Sequence, residues 1–148
     1  MSFEVRVAVP DDVPILAELE REARTALVGT RGGDALLAEQ DAIADWAALT
    51  TASPSSVWVA TIDDVVVGYL QASIPGRGGT GIVHQVYVVP DARELGFGDD
   101  MLLAAMDAMR TAGGVTVEGW ALPGDRDTKN LFERAGVTAR KIIVSKPL

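Results

Sequence analysis

The sequence contains no cysteine and only one histidine among its 148 residues. The missing cysteine excludes disulfide bonds, thiolate metal ligands and a thiol nucleophile. A single histidine cannot build a zinc site without neighbours of its own kind, so no metal is expected. No apolar run approaches the length of a membrane span, so no membrane partner is expected either.

Basic residues are also scarce. The chain has 13 lysines and arginines against 21 aspartates and glutamates, and its net charge is −8. Nucleic-acid binding depends on clustered basic side chains, and no such cluster is present, so no nucleic-acid partner is expected. The first residues, MSFEVRVAVPDD, are acidic and lack an apolar signal core. Together with the absence of cysteine, this predicts a cytoplasmic protein.

The length fits one domain over residues 1–148 with its own hydrophobic core. Alternating or continuous apolar runs predict strands at 3–9, 57–62, 65–74, 82–89, 115–122 and 137–145. Apolar residues at helical spacing predict a helix with Leu16, Leu19, Ala23 and Leu27 on one stripe, and helices at 35–49, 98–112 and 125–136. In the helix at 98–112, the residues expected to face the core are Leu102, Ala105, Met106 and Met109. Asp63 and Asp64 predict a tight hairpin between the second and third strands. The order β-α-α-β-β-β-α-β-α-β predicts an α/β fold in which helices pack on a mixed sheet.

The turn after the fourth strand is the most informative segment. Pro90 ends the strand, and Gly96 and Gly98 then open a helix whose first N–H groups lack partners. Such a helix start can bind a phosphate. Asp99 and Asp100 follow at once, however, and carboxylates repel a phosphate. A strand-to-helix turn with an ordinary acidic first turn is therefore the alternative, and the spacing fits neither the dinucleotide fingerprint nor the P-loop.

The strand IVHQVYVVP, the turn DARELGFG and the apolar helix after it closely resemble motif A of the GNAT superfamily of acyl-CoA-dependent N-acyltransferases. That motif has the form [QR]-x-x-G-x-[GA], here Arg93, Gly96 and Gly98. The segment 131–137, LFERAGV, resembles the end of the superfamily's motif B helix. The resemblance covers nearly the whole chain, because the element order is also the superfamily's. It implies a GNAT-type mixed sheet of six to seven strands with helices on both faces.

The resemblance also implies a binding site for acetyl-CoA as co-substrate. The pyrophosphate would be bound by the backbone of Arg93, Glu94, Leu95, Gly96, Phe97, Gly98 and Asp99. The pantetheine arm would add to the fourth strand where the fourth and fifth strands splay apart, along Val86, Tyr87 and Val88. The N–H of Val86 would lie near the thioester oxygen.

His84 is the candidate general base for the amine that attacks the thioester. Histidine titrates near neutrality, and the period of two places His84 on the same strand face as Ile82, Val86 and Val88. Superfamily members often carry a glutamate or histidine in this stretch. The alternative is a histidine hydrogen-bonded for structure only. The position of the general acid departs from the family pattern, because Phe132 stands where motif B usually has a tyrosine that protonates the leaving thiolate.

These observations predict an N-acetyltransferase that moves an acetyl group from acetyl-CoA to a primary amine by direct attack in a ternary complex. The acceptor is expected to be a small cationic metabolite or a peptide amine. Phe132 and the two aspartates keep open an alternative, a weak or inactive acyl-CoA-binding module, as well as a structural domain that has lost the coenzyme site. A homodimer is compatible with the resemblance, since GNAT domains often form dimers.

Overall fold

The computed structural model describes all 148 residues and contains one five-stranded sheet in the order β1-β2-β3-β4-β5. The strands are β1 (Phe3–Val7), β2 (Val57–Ile62), β3 (Val65–Ser73), β4 (Thr80–Val88) and β5 (Thr116–Glu118). The helices are α1 (Val13–Leu27), α2 (Gly33–Glu39), α3 (Trp46–Thr50), α4 (Phe97–Thr111) and α5 (Arg126–Arg134). No helix is long and apolar enough to cross a membrane.

The first four strands pair antiparallel, with β2, β3 and β4 as a meander, and β5 joins β4 in parallel after the α4 crossover. The predicted hairpin between β2 and β3 is confirmed. Asp63 and Asp64 adopt φ angles of 48° and 67°, the left-handed pair that matches the twist of a two-residue hairpin. The mixed sheet expected from the element order is therefore present.

Helices cover both faces of the sheet. On one face, the predicted core positions of α4 are confirmed: Leu102, Ala105 and Met109 are buried, and Met106 packs against the same cluster. On the other face, α1 and α3 cover a smaller cluster that includes Leu16 and Leu19. Because neighbouring strand residues point to opposite faces, the sheet supplies apolar side chains to both clusters.

The helix predicted at 35–49 is two short helices, α2 and α3, separated by an irregular segment. The break has two local causes. Asp45 caps α3 by accepting a hydrogen bond from the backbone N–H of Ala48 at 3.0 Å. The N–H of Ile43 bonds to the Glu20 carboxylate at 3.0 and 3.2 Å instead of to a helical carbonyl.

The prediction of six to seven strands is wrong, because the segment 137–145 forms no strand. Ile142, Ile143 and Val144 are more than 80% exposed. Their β-branched and apolar side chains raise strand propensity, but a strand also needs a partner edge, and this segment pairs with none. The neighbouring edge strand, β5, is only three residues long.

Candidate active site

The carboxyl half of β4 has an unpaired edge. β5 pairs with β4 only from Thr80 to Ile82, whereas β3 follows β4 as far as Val88. The N–H of Val89 bonds to Val67 of the meander at 2.9 Å. Because successive strand residues direct their backbone groups to alternate edges, the N–H groups of Val86 and Val88 lie on the open side. The expected splay between the fourth and fifth strands is therefore observed.

His84 lies in a β-bulge. Gln85 is opposite Gln71, and Val83 is opposite Ala72, so His84 is the extra residue and has no cross-strand partner. The expectation that His84 shares a face with Val86 and Val88 is wrong for this reason. The bulge shifts the alternation by one residue, and Val83 is buried in the α4-side cluster against which Val86 and Val88 also pack.

The bulge places the His84 imidazole at the border of the splayed strands. Its Nε2 shares a hydrogen bond of 2.5 Å with the Ser73 hydroxyl, and its ring meets the Trp120 ring edge-on at 5.8 Å between centroids. Partial burial lowers the pKa of His84 below its ordinary value. The imidazole is therefore neutral at pH 7 and can accept a proton there.

The turn between β4 and α4 presents a series of free backbone donors. The N–H groups of residues 94–99 have no acceptor in the protein. Gly96 adopts φ 86° as the N-cap of α4, and Glu94 also lies in the left-handed region with φ 64°. Six consecutive free N–H groups at the positive end of a fifteen-residue helix form a suitable anion site.

Four charged side chains lie in or beside this turn, namely Arg93, Glu94, Asp99 and Asp100. The Arg93 guanidinium donates from Nε to the carbonyl of Val88 at 2.9 Å and lies 5.7 Å from the centre of the Tyr87 ring. The guanidinium therefore lies at the carboxyl end of the open edge of β4. Asp99 forms an ion pair with Arg134 of α5, and Asp100 has no ionic partner.

A cleft of about 460 Å³ runs beside the open edge. One wall is β4, where His84, Val86, Tyr87 and Arg93 line it. The opposite walls are α1, α2, the loop after β5 and the start of α5. The cleft is large enough for part of an extended ligand. No group of three or more histidine, aspartate or glutamate side chains is arranged to hold a metal ion.

The model of the acetyltransferase (GNAT) family matches residues 15–137, which is most of the chain. The protein belongs to the GNAT acetyltransferase family. No curated protein matches the sequence significantly.

Several solved structures share this GNAT fold. The BH1408 protein of Bacillus halodurans, solved as a tetramutant, superimposes with a TM-score of 0.77 at 15% identity, covering 98% of this chain and 99% of that one. The aminoglycoside N-acetyltransferase AAC(6′)-Iy in complex with CoA gives 0.69 at 18%, covering 99% and 96%. A ribosomal-protein-alanine N-acetyltransferase from Brucella melitensis biovar Abortus 2308 gives 0.66 at 16%, covering 99% and 98%. At these identities the likeness concerns the fold.

The predicted site residues of this GNAT domain fall into two groups. His84, Val86, Tyr87 and Arg93 line the cleft. Val88 and the turn residues 94–99 lie beyond the lining, at the end of β4 and the start of α4. The hydrogen bond from Arg93 to the carbonyl of Val88 joins the two groups, because Arg93 lines the cleft and Val88 lies beyond it.

Phe132, which departs from the GNAT pattern, and Asp125 at the start of α5 both have structural partners. Phe132 is buried, and its Cζ, where tyrosine carries the hydroxyl, packs so closely on Gly119 that a Cβ there would overlap it. Asp125 caps α5 and accepts hydrogen bonds from the N–H and hydroxyl of Thr128 at 3.1 and 2.6 Å. Both residues line the cleft.

A buried polar chain beside the cleft was not predicted. The Tyr69 hydroxyl donates to Gln85 at 2.6 Å, and Gln85 donates to the Glu20 carboxylate at 2.7 Å. Burial raises the pKa of Tyr69 far above its ordinary value, which keeps the hydroxyl protonated as a donor. The sequence contains one indication of these hydrogen bonds, because Glu20 lies four residues after Leu16 on the buried stripe of α1 and is therefore a polar side chain at a core position.

Proposed function

We propose that the protein transfers an acetyl group from acetyl-CoA to a primary amine. The observation that carries the proposal is the unpaired edge of β4, which leads into six consecutive free N–H groups at the start of α4. An acyl-CoA fits this arrangement, since its amide-containing arm needs backbone partners and its pyrophosphate needs anion donors. Acetyl-CoA supplies the activated thioester, and the protein supplies binding, orientation and proton transfer.

The proposed roles of the binding residues follow their order along the open edge of β4. The N–H of Val86 is a donor for the thioester oxygen, on which negative charge develops during attack. Val88 continues the open edge toward the turn, whereas the backbone of Tyr87, between them, faces β3. Residues 94–99 hold the pyrophosphate through their free backbone N–H groups, whereas the expected contribution of the Arg93 backbone is lost because its N–H already bonds to the carbonyl of Pro90 at 3.3 Å.

His84 is the proposed general base. Its imidazole is neutral at pH 7, lies in the cleft and is oriented by the Ser73 hydroxyl. It accepts the proton that the amine loses when the carbon–nitrogen bond forms and the thiolate leaves. Phe132 has no hydroxyl, so the residue at the motif B position gives no proton to the leaving thiolate.

The helical wall of the cleft indicates the chemistry of the acceptor. α1 and α2 contribute apolar side chains to this wall, namely Ala23, Ala26, Leu27, Leu36 and Leu37. The one charged side chain on these helices that faces the cleft is Arg24, which donates to the carbonyl of Gln40 at 2.8 Å. We therefore expect an acceptor with one primary amine on an apolar body, because a polycation would meet a like charge.

The first experiment is calorimetric titration with acetyl-CoA, followed by thiol release with a panel of amines. Micromolar binding, about −8 kcal/mol, and turnover of apolar amines in preference to polyamines are the expected results. His84→Gln should lower kcat/KM about 100-fold while leaving acetyl-CoA affinity unchanged. No binding up to millimolar acetyl-CoA would refute the proposal.

The pH dependence tests the role of His84 separately. Activity should rise as the pH increases through the pKa of His84, which lies below its ordinary value of 6.5. His84→Gln should lose this ascending limb. A retained limb would assign the proton transfer to another group.

An acyl-CoA-binding module without efficient catalysis is the second candidate, and the packing of Phe132 against Gly119 favours it. That module would bind acetyl-CoA with micromolar affinity and release no thiol with any amine. His84→Gln would then change nothing that can be measured.

A further inference from the structure

Two aspartates lie in the first turn of α4, at the free N–H groups of residues 94–99. Only one of them, Asp99, has an ionic partner. The Asp99 carboxylate receives a hydrogen bond from Arg134 Nε at 2.9 Å. Asp100 is exposed and has no ionic or hydrogen-bonding partner for its carboxylate. A negative charge at Asp99 opposes binding of a diphosphate to this turn, and Arg134 carries the compensating positive charge.

This ion pair joins two helices that are far apart in sequence. Arg134 is the last residue of α5, and Asp99 is the third residue of α4. The Arg134 side chain is 57% exposed and the Asp99 side chain 39%, so solvent screens their attraction. Exposed pairs of this kind add little to folding stability. The pair can still change the affinity for a charged ligand at this turn, because one uncompensated carboxylate changes the charge beside the ligand by a full unit.

We propose that Arg134 is a positioning residue for the coenzyme. It holds the Asp99 carboxylate and cancels its charge, so that the amide turn can accept the pyrophosphate. The inference rests on the proposed function, because it concerns the same ligand. It also accounts for an acidic first turn in a site that binds an anion.

The test is a double-mutant cycle on the affinity for free coenzyme A, measured by calorimetric titration. Arg134→Ala should weaken binding about tenfold, or ~1.4 kcal/mol, because it leaves the Asp99 charge uncompensated. Asp99→Asn alone should bind within about threefold of the wild type. The double variant should recover most of the lost affinity, since the repulsive charge is gone with its partner.

Asp100→Asn is the matched control, because it removes the same charge one residue later from a carboxylate that Arg134 does not hold. It should change affinity by the same factor with and without Arg134. Arg134→Lys keeps the positive charge and should retain affinity within about threefold. Thermal unfolding of each variant checks that all of them fold.

A second ligand, one without phosphate, distinguishes an electrostatic role of Arg134 from a structural one. S-acetylpantetheine carries the thioester arm but no phosphate, so Arg134→Ala should leave its affinity, followed by NMR titration, unchanged. An equal loss for both ligands would mean that Arg134 merely shapes the site, and would overturn the inference. A double variant as weak as Arg134→Ala would also overturn it, because Arg134 would then contact the phosphate directly. If the wild type binds no coenzyme A, the proposed function itself fails; if it binds but the cycle is additive, only this inference fails.

Discussion

On the face of the sheet that carries α4, thirteen buried apolar residues form one continuous cluster. On the face that carries α1, the cluster has seven buried residues and lies beside the polar chain of Tyr69, Gln85 and Glu20. The α4 face gains its stability from apolar burial, whereas the α1 face keeps hydrogen-bonding groups in fixed positions next to the cleft. The smaller apolar core thus lies on the face where the polar chain borders the cleft.

The largest effect is expected on the α4 face. Leu102 is fully buried, and Leu102→Ala should lower the free energy of unfolding by about 3 kcal/mol through lost burial and a new cavity. The neighbouring Leu103 is 52% exposed, so Leu103→Ala should cost less than about 0.5 kcal/mol. Urea denaturation measures both. Similar losses for the two variants would contradict the position of the core.

On the α1 face, the expected loss is smaller and has a polar origin. Glu20→Ala removes the acceptor of the Ile43 N–H and of the Gln85 amide, and should cost about 2 kcal/mol. Glu22→Ala is the control, since exposed Glu22 has only a 3.4 Å contact with the Tyr87 hydroxyl. If Glu20→Ala is as mild as Glu22→Ala in urea denaturation, the polar chain does not stabilise this face.

The smallest effect in this series concerns the entry to α1 and depends on pH. The Arg6 guanidinium holds Asp12 through two hydrogen bonds of 2.7 and 2.9 Å and lowers the pKa of that carboxyl below its ordinary value of 3.8. A lowered pKa means that the contribution is present above the unfolded-state pKa and is lost as pH falls through the folded-state pKa.

Asp12→Asn should therefore cost about 1.5 kcal/mol at pH 7 and nearly nothing once the wild-type carboxyl is protonated. Unfolding curves between pH 7 and about pH 2 follow the convergence of the two proteins. A difference that stays constant over this range would show that the charge of Asp12 is not the cause.

Local patterns in the sequence predicted the elements whose causes are local. The Asp63-Asp64 hairpin and the buried positions of α4 follow from turn chemistry and helical spacing, and both are confirmed. The strand at 137–145 was predicted wrongly because propensity carries no information on whether a partner edge is present.

In the candidate site too, only the features that depend on local sequence could be predicted. Backbone features such as the amide turn follow from the positions of Gly96 and Gly98. The face of His84 did not follow, because a bulge is a property of the β3–β4 pairing and not of β4 alone. The Asp99–Arg134 pair likewise joins residues 35 positions apart, and only the packing of α5 against α4 brings them together.

The bulge in β4 also bears on how the sequence of this protein can change. Residues before and after His84 keep their places in the two cores, since the extra position absorbs the change of phase. The core therefore exerts little selection on the side chain at position 84. Substitutions there can change the side chain that lines the cleft while the fold is inherited unchanged, whereas an insertion or deletion elsewhere in β4 would turn a whole set of apolar side chains to the wrong face.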